Sequence, residues 1–342
     1  MNDMDKVATA GLKRKAIEPK VIGLGIVGLG TMGQFVLDGA LENPAFKVMS
    51  IFEPNLMPIQ KSKPEYADID FEGSTEALFE RDDVDVVYIA SPPNTHIDYC
   101  RLAFKVGKAI WCEKPLAVDV NEAASFVEDM ENQPLSQVTK AVVNLSLATS
   151  PELTAMQSII DSGQLGTLSH VDIKLQYSAW PRHWQQDASN WLSLREQGGF
   201  IREVFTHFVF MQHRLLGEMK LKHSHAHYPM DNENHAEIAV MAEYDCGNIL
   251  VRLIGSVGGN APDENEWTLY GEQASLRFKD FSMLELGSQS GWKVIECPQV
   301  HGSVRLQLDE LSLMMQGQPH RLASFQEALL VQKVIEQTLQ GK

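Results

Sequence analysis

The chain has 342 residues, 44% of them hydrophobic, and a formal net charge of −16. That is enough apolar material for two domains with separate cores, while an acidic surface repels phosphate backbones and anionic lipid, so neither nucleic acid nor membrane is expected as a partner. The four cysteines, Cys100, Cys112, Cys246 and Cys297, are widely spaced and form no C-x-x-C pair, which points to a reduced, cytoplasmic protein without disulfides or a cysteine zinc site.

The start mixes charges with small residues and lacks a signal-peptide apolar stretch. Residues 1–19 are therefore expected to form a flexible leader, with the run Lys13-Arg14-Lys15 solvated. No later stretch approaches the roughly 18 apolar residues of a membrane span. From residue 20 to about 145, KVIGLGIVG, FKVMSIFE, VDVVYIASPP, KAIWCE and QVTKAVVNLSL read as strands. Between them TMGQFVLDGALEN, STEALFERDD, NTHIDYCRLAFKVG and VNEAASFVEDMEN read as helices, with Ser74 as an N-cap and Gly107 as a stop. Strands apolar on both faces and alternating with helices imply a parallel sheet covered on both sides, a doubly wound α/β domain.

From 146 to 342 the pattern changes. A helix, SPELTAMQSIIDSGQLG, precedes LSHVDIKLQYSAW, MKLKHSHAHYP, NHAEIAVMAEYD, GNILVRLIGSVGG, NEWTLYGEQ, ASLRFKD and SMLELGS, strands joined by short turns. Many alternate polar with apolar residues, as in an antiparallel sheet with one covered face. GGFIREVFTHFVFMQHRLLG reads as a helix after the first of them, and RLASFQEALLVQKVIEQTLQ as an amphipathic final helix.

GLGTMG follows the first strand and opens the first helix. Gly28 allows the tight turn, Gly30 lets backbone approach a pyrophosphate, and Gly33 lets helix pack on strand. Thr31 and Met32 begin the helix, whose unpaired N–H groups and positive dipole end suit phosphate. The second strand ends in Glu53, at the spacing of about 20 residues expected for a ribose-binding carboxylate. A carboxylate there repels a 2′-phosphate, and the following PNLMP supplies no arginine to hold one. The expected cofactor is NAD rather than NADP.

The succession GIVGLGTMG, VVYIASPPNTH and GKAIWCEKPLAV resembles the glucose–fructose oxidoreductase / inositol dehydrogenase family (Gfo/Idh/MocA), from about Lys20 to Gln340. The resemblance implies a Rossmann domain followed by an α+β domain built on a large open, mainly antiparallel sheet. It also implies that Lys114 is the catalytic lysine, held by Glu113 and followed by a cis peptide to Pro115. Ser91, Pro92, Asn94 and His96, with Glu113 and Lys114, would border the cofactor, His96 by packing or capping rather than reacting. A lysine at the carboxyl edge of a parallel sheet lies where ligands bind. There it could favour an alkoxide forming as hydride leaves, and partial burial would lower its pKa.

The segment GGFIREVFTHF supplies Glu203 and His207, four apart on a predicted helix and so on one face. That suits a histidine base steadied by a carboxylate, and equally a plain helical ion pair or a core histidine. The family pattern implied here is G-G-x-x-x-D-x-G-x-H. Glu203 stands for its aspartate and Phe205 for its small residue, so a ring is expected to fill space beside the histidine. The family's N-x-x-R strand end reads NLSLATS, leaving an anchoring charge to come from elsewhere.

QYSAWPRHW offers Trp180, Arg182, His183 and Trp184 for substrate, since aromatic faces stack on sugar rings and an arginine fork holds carboxylates; an aromatic loop merely covering the sheet has the same signature. His223, His225 and His227 share one face of a strand and read as solvated, with no metal expected. Three function classes stand. The leading one is an NAD-dependent dehydrogenase acting on a secondary alcohol of a sugar, cyclitol or related hydroxy compound; the others are an NAD-dependent glycosidase and a non-catalytic dinucleotide-binding sensor. A large one-sided sheet would leave an apolar face to cover, so a homodimer or homotetramer through that sheet is expected.

Overall fold

The structure is a computed structural model that describes residues 21–55, 66, 69–133, 140–298 and 303–341. The expected leader lies outside them, as does the LMP portion of PNLMP.

The first apolar runs build a parallel sheet from β1 (Ile22–Val27), β2 (Phe46–Phe52), β3 (Val86–Ile89), β4 (Ala109–Cys112) and β5 (Ala141–Val143). Every residue of β1, β3, β4 and β5 is buried, because helices cover both faces. These are α1 (Thr31–Glu42), α2 (Thr75–Phe79), α3 (His96–Lys105) and α4 (Val120–Glu131). Ser74 caps α2 by accepting from the Ala77 N–H at 3.2 Å. Gly107, at φ +76°, ends the turn after α3. The spatial order is β2-β1-β3-β4-β5. An isolated parallel bridge between Ile51 and Phe71 extends it beyond β2, where a Rossmann sheet carries its third strand.

After α5 (Pro151–Asp161), capped by Ser150, the chain enters the second sheet. Its strands are β6 (Leu168–Tyr177), β7 (Lys220–His227), β8 (Ala239–Cys246), β9 (Ile249–Val257), β10 (Glu264–Gly271), β11 (Ser275–Lys279), β12 (Met283–Ser288) and β13 (Gly291–Ile295). Their order is β13-β12-β11-β10-β6-β9-β8-β7, antiparallel throughout except for β6 against β9. The sheet is thus mainly antiparallel, as expected, with this single parallel pair among its described strands. The helical crossover through α6 (Thr206–Leu216) carries the chain over the covered face before β7 to β9 return as hairpins. The edge strand β13 was not anticipated from the sequence.

Nor was α7 (Ser303–Met315), which lies against α1. Gly39 permits that approach, since a Cβ there would stand 2.8 Å from Cγ1 of Val304. β14 (Ala323–Ser324) then joins the first sheet antiparallel to β5. α8 (Phe325–Gln340), opened by a Ser324–Glu327 capping box, packs on α4, α6 and β7. The chain beyond residue 302 therefore serves both sheets, and the final helix packs back on the first domain as its sequence allowed.

The open face of the second sheet is not the apolar surface expected. Arg252 pairs with Asp172 at 2.7 Å and Lys174 with Glu264 at 2.7 Å across neighbouring strands. Met241 and Ile254, 65% and 55% exposed, are cross-strand partners amid these charges. His223, His225 and His227 are exposed on β7. Among the described residues no group of three or more His, Cys, Asp or Glu is placed to hold a metal, and no helix is long and apolar enough to cross a membrane.

Candidate active site

The turn between β1 and α1 is fixed by the glycines for different reasons. Gly28 has φ +92°, and a Cβ there would stand 2.8 Å from the Ala90 carbonyl oxygen. At Gly33 a Cβ would meet the Gly28 carbonyl oxygen at 2.0 Å. At Gly30 it would meet nothing within 4 Å, so that position keeps an open approach to the N-terminus of α1, at Thr31 and Met32. Glu53 sits beside this turn. Its Oε2 accepts the Leu29 N–H at 2.7 Å and its Oε1 the Asn55 N–H at 2.8 Å.

Ser91, Pro92 and Asn94 follow β3 at the same carboxyl edge, Pro92 and Asn94 exposed. His96 is buried behind them. Its Nδ1 lies 2.7 Å from the Pro115 carbonyl oxygen and its Nε2 2.8 Å from that of Ser91. It thus ties the loop after β3 to the loop after β4, a packing role consistent with its sequence reading.

β4 ends in Glu113 and Lys114, and the peptide from Lys114 to Pro115 is cis. The ammonium of Lys114 is held by Glu203, not by Glu113: Nζ stands 2.5 Å from Glu203 Oε2 and 3.3 Å from the Glu203 carbonyl oxygen. Glu113 is buried and accepts from the Tyr88 hydroxyl and from Asn144 Nδ2, the latter at 2.5 Å. Burial pushes the Glu113 carboxyl upward, while Tyr88, Lys114 and Asn144 oppose that shift. Its link to Lys114 is a 3.3 Å contact with the backbone N–H. Glu113 thus braces the strand end from beneath. Tyr88 and Asn144 lack any local signal in the sequence that would mark them as its partners.

Glu203 lies in a π-helical turn, Ile201–Phe205, that runs into α6, where His207 is the second residue. The expected Glu203–His207 pair does not form. A carboxylate gains more from a full ammonium charge than from a neutral imidazole, and Lys114 takes it. His207 Nδ1 is buried with no hydrogen-bond partner among the described residues. Its pKa falls to about 3, through burial first and then through the charges of Lys114 and Arg182. Phe205 does not flank the imidazole as expected; it packs under the sheet against Tyr244, centroids 6.0 Å apart. The ring edge-on to His207 is Phe281, 5.7 Å away, from the β11–β12 turn and in the left-handed region at φ +59°. Sequence periodicity gives no hint of it.

The loop after β6 brings Arg182 toward this cluster. The guanidinium lies over the rings of Tyr177, Trp180 and Trp184 at 5.6, 5.6 and 4.9 Å. Its Nε donates to Gln185 Oε1 at 2.9 Å, and Gln185 Nε2 donates to Glu203 Oε1 at 3.1 Å. Gln185, 4% exposed, was not singled out by the sequence, yet it joins the arginine to the Lys114–Glu203 pair. Trp180 is anchored through Nε1 to the Leu192 carbonyl at 3.0 Å. His183 and Trp184 are exposed; Trp184 touches the cluster through Arg182, whereas His183 shows no contact with it.

A Rossmann-type parallel sheet thus carries Lys114 at its carboxyl edge, where a mainly antiparallel second domain contributes Glu203 and His207. The comparisons with known proteins give the family. Residues 22–139 match the family model described as an oxidoreductase family, NAD-binding Rossmann fold, and residues 153–277 match the GFO/IDH/MocA C-terminal domain. The chain belongs to the GFO/IDH/MocA oxidoreductase family. It is 26% identical to an oxidoreductase of Formosa agariphila over 64% of this chain and 66% of that protein. It is 28% identical to the inositol 2-dehydrogenase of Rhizobium meliloti over 40% of this chain and 38% of that one. The aligned part thus spans less than two thirds of either relative. An oxidoreductase structure from Thermotoga maritima superposes with a TM-score of 0.79 at 17% identity, over 94% of this chain and 96% of that one, which shows the shared fold.

The segment that carries Glu203 and His207 is braced by a residue without a sequence motif. Glu237 is 2% exposed. Its Oε1 accepts the Ile201 N–H at 2.8 Å, while Oε2 is buried without a partner among the described residues. Gly199, at φ +99°, leaves room for it; a Cβ there would stand 2.3 Å from Oε2. Burial raises the Glu237 pKa to about 7, against the bonds from Ile201 and its own backbone and the charge of Arg202, with Glu336 adding to the rise. Arg202 itself forks onto Glu336 at 2.6 and 2.8 Å. A carboxyl whose folded pKa lies above its unfolded value binds its proton more tightly in the folded state, so its ionisation disfavours folding. The penalty begins as pH rises past the unfolded value of about 4.5, grows toward 7 and is complete above it, on the order of 3 kcal/mol. Urea unfolding should therefore show wild type losing stability relative to Glu237→Gln between about pH 5 and pH 8. A difference between the two proteins that is the same at both ends rejects this account.

Proposed function

We propose that the protein is an NAD-dependent dehydrogenase that interconverts a secondary alcohol and a ketone on a sugar, cyclitol or related hydroxy compound. The observation that carries this reading is the ion pair between Lys114 at the end of β4 and Glu203 in the turn before α6, with His207 close enough to feel the lysine charge. The residues present fit a dinucleotide. Gly30 keeps an unobstructed approach to the N-terminus of α1 for the pyrophosphate, and Glu53 lies against that turn to receive the adenosine ribose. Ser91, Pro92 and Asn94 border the path toward Lys114. When bound, the nicotinamide supplies the hydride acceptor or donor.

The protein's part is to hold the reacting hydroxyl and its proton. Glu203 orients Lys114, leaving an N–H of the ammonium to meet the substrate oxygen and stabilise negative charge as it develops. His207 is neutral at physiological pH and offers a lone pair to the same hydroxyl. In the direction of ketone reduction Lys114 is the better proton donor, because a histidine of such low basicity is not present as the imidazolium that would give up a proton readily. Lys114→Ala should lower turnover by about 10²- to 10⁴-fold while NADH still binds, read by steady-state kinetics beside an NADH fluorescence titration. Retained turnover would remove the lysine from the chemistry.

Glu53 supports NAD over NADP, since a 2′-phosphate would be brought against its carboxylate. Parallel titrations should give tighter binding of NADH than NADPH, and the reverse order would refute the choice. The outward face of β6, β8 and β9 carries Met241 and Ile254 among paired charges, a composition suited to a second copy of this chain. A homodimer, or a tetramer built from it, is the expected solution state. A monomer by light scattering at micromolar concentration would contradict it.

A further inference from the structure

Arg182 is held in an unusual setting beside the Lys114–Glu203 pair. Its guanidinium is fixed on one edge by Gln185 and on its faces by Tyr177, Trp180 and Trp184. The Nη groups make no hydrogen bond to the described residues, and among those residues no carboxylate lies within 4.0 Å of them. Lys114, by contrast, has its charge matched by Glu203. The guanidinium whose charge reaches His207 therefore has no ion-pair partner among the described residues. An arginine held rigid at Nε with both Nη atoms left over presents the planar, two-pronged donor set that a carboxylate accepts bidentately.

We infer that the substrate is a polyhydroxylated acid, and that Arg182 binds its carboxylate while Lys114 and His207 hold the hydroxyl to be oxidised. This rests on the dehydrogenase reading above and narrows its substrate class. Gln185 gives the arrangement its geometry: the chain Arg182–Gln185–Glu203–Lys114 fixes the acid-binding group relative to the hydroxyl-binding group through two hydrogen bonds and one ion pair. A bound carboxylate would also neutralise one of the two charges that depress His207, making the imidazole more basic once the acid is in place. A neutral polyol does neither. Hydrogen bonds to a charged partner make a difference of about 10- to 100-fold in affinity.

The test uses matched probes: D-glucuronate against D-glucose, and quinate against myo-inositol. Each is titrated into the full-length protein loaded with NADH, following fluorescence of Trp180 and Trp184, and each is assayed with NAD for NADH formation. The wild type should favour the acid of at least one pair by 10-fold or more. Arg182→Gln should bring that acid-to-neutral ratio close to one, and Arg182→Lys should leave it in between. If Arg182→Gln does not fold, as judged by circular dichroism and NADH binding, the Arg182→Lys ratio decides alone. Wild-type ratios near one for both pairs, or a ratio untouched by either variant, overturn the inference. NADH formed from the neutral members alone would overturn it and keep the dehydrogenase reading. Acids bound through Arg182 with no compound oxidised would do the opposite.

Discussion

The ion pair between Lys114 and Glu203 is the contact on which the site depends. Its partners come from different domains, Lys114 just after β4 and Glu203 in the turn before α6, 89 residues apart in sequence, and both are largely shielded, with side chains 12% and 18% exposed. Two partly desolvated charges hold each other far more firmly than a surface pair does, and either one left alone would be expensive to keep there. The pair therefore fixes the carboxyl edge of the parallel sheet against the turn that opens α6. It also decides what its neighbours can be. With Glu203 engaged, His207 has no carboxylate and stays neutral; with Lys114 paired to Glu203, Arg182 has no ion-pair partner among the described residues.

The support for this pair is layered. Beneath the lysine, Glu113 is held by Tyr88 and Asn144 and fixes the strand end. To one side His96 bridges the Ser91 and Pro115 carbonyls. A neutral imidazole has a single N–H, so only one of these contacts can be an ordinary donated bond, and the other is carried by packing. Behind Glu203, the forked Arg202–Glu336 pair fastens the turn to α8. That is why α8, the last helix of the chain, matters to a site formed by strands and turns far upstream.

How far the sequence reveals this depends on whether a constraint is local. The Gly28–Gly33 turn and Glu53 are legible because backbone sterics within one strand-turn-helix unit impose them. Lys114 is legible as a charge at the end of an apolar strand, and the family likeness sharpens that. Its partner is not: Glu113 is adjacent and Glu203 is distant, and only three-dimensional placement chooses between them. Gln185 is an amide without periodicity or motif, so nothing in the chain marks it, and Asn144, the asparagine of the NLSLATS strand end, carries no sign that it would bond Glu113. The parallel β6–β9 pair escapes notice because alternation reports which face is buried and not which way a neighbour runs. α7 is missed for a different reason, since its polar and apolar residues alternate too irregularly to present a clean stripe.

Glu237 shows what holding the site costs. A carboxyl buried with one oxygen unpaired is destabilising in itself, and Gly199 gives up any side chain to make room for it. The return is a fixed Ile201 N–H at the start of the π-helical turn, which leaves that turn's geometry dictated by a side chain from a different strand approach rather than by helix propensity. Single-turn π geometry recurs at functional sites because an extra residue per turn re-aims the side chains that follow. Here the residues re-aimed are Glu203 and His207, and the brace acts on the backbone that carries them. The half-paired carboxyl of Glu237 and the left-handed backbone of Phe281 both lie next to the segment that carries Glu203 and His207, so part of the unfavourable structure sits where those side chains are aimed.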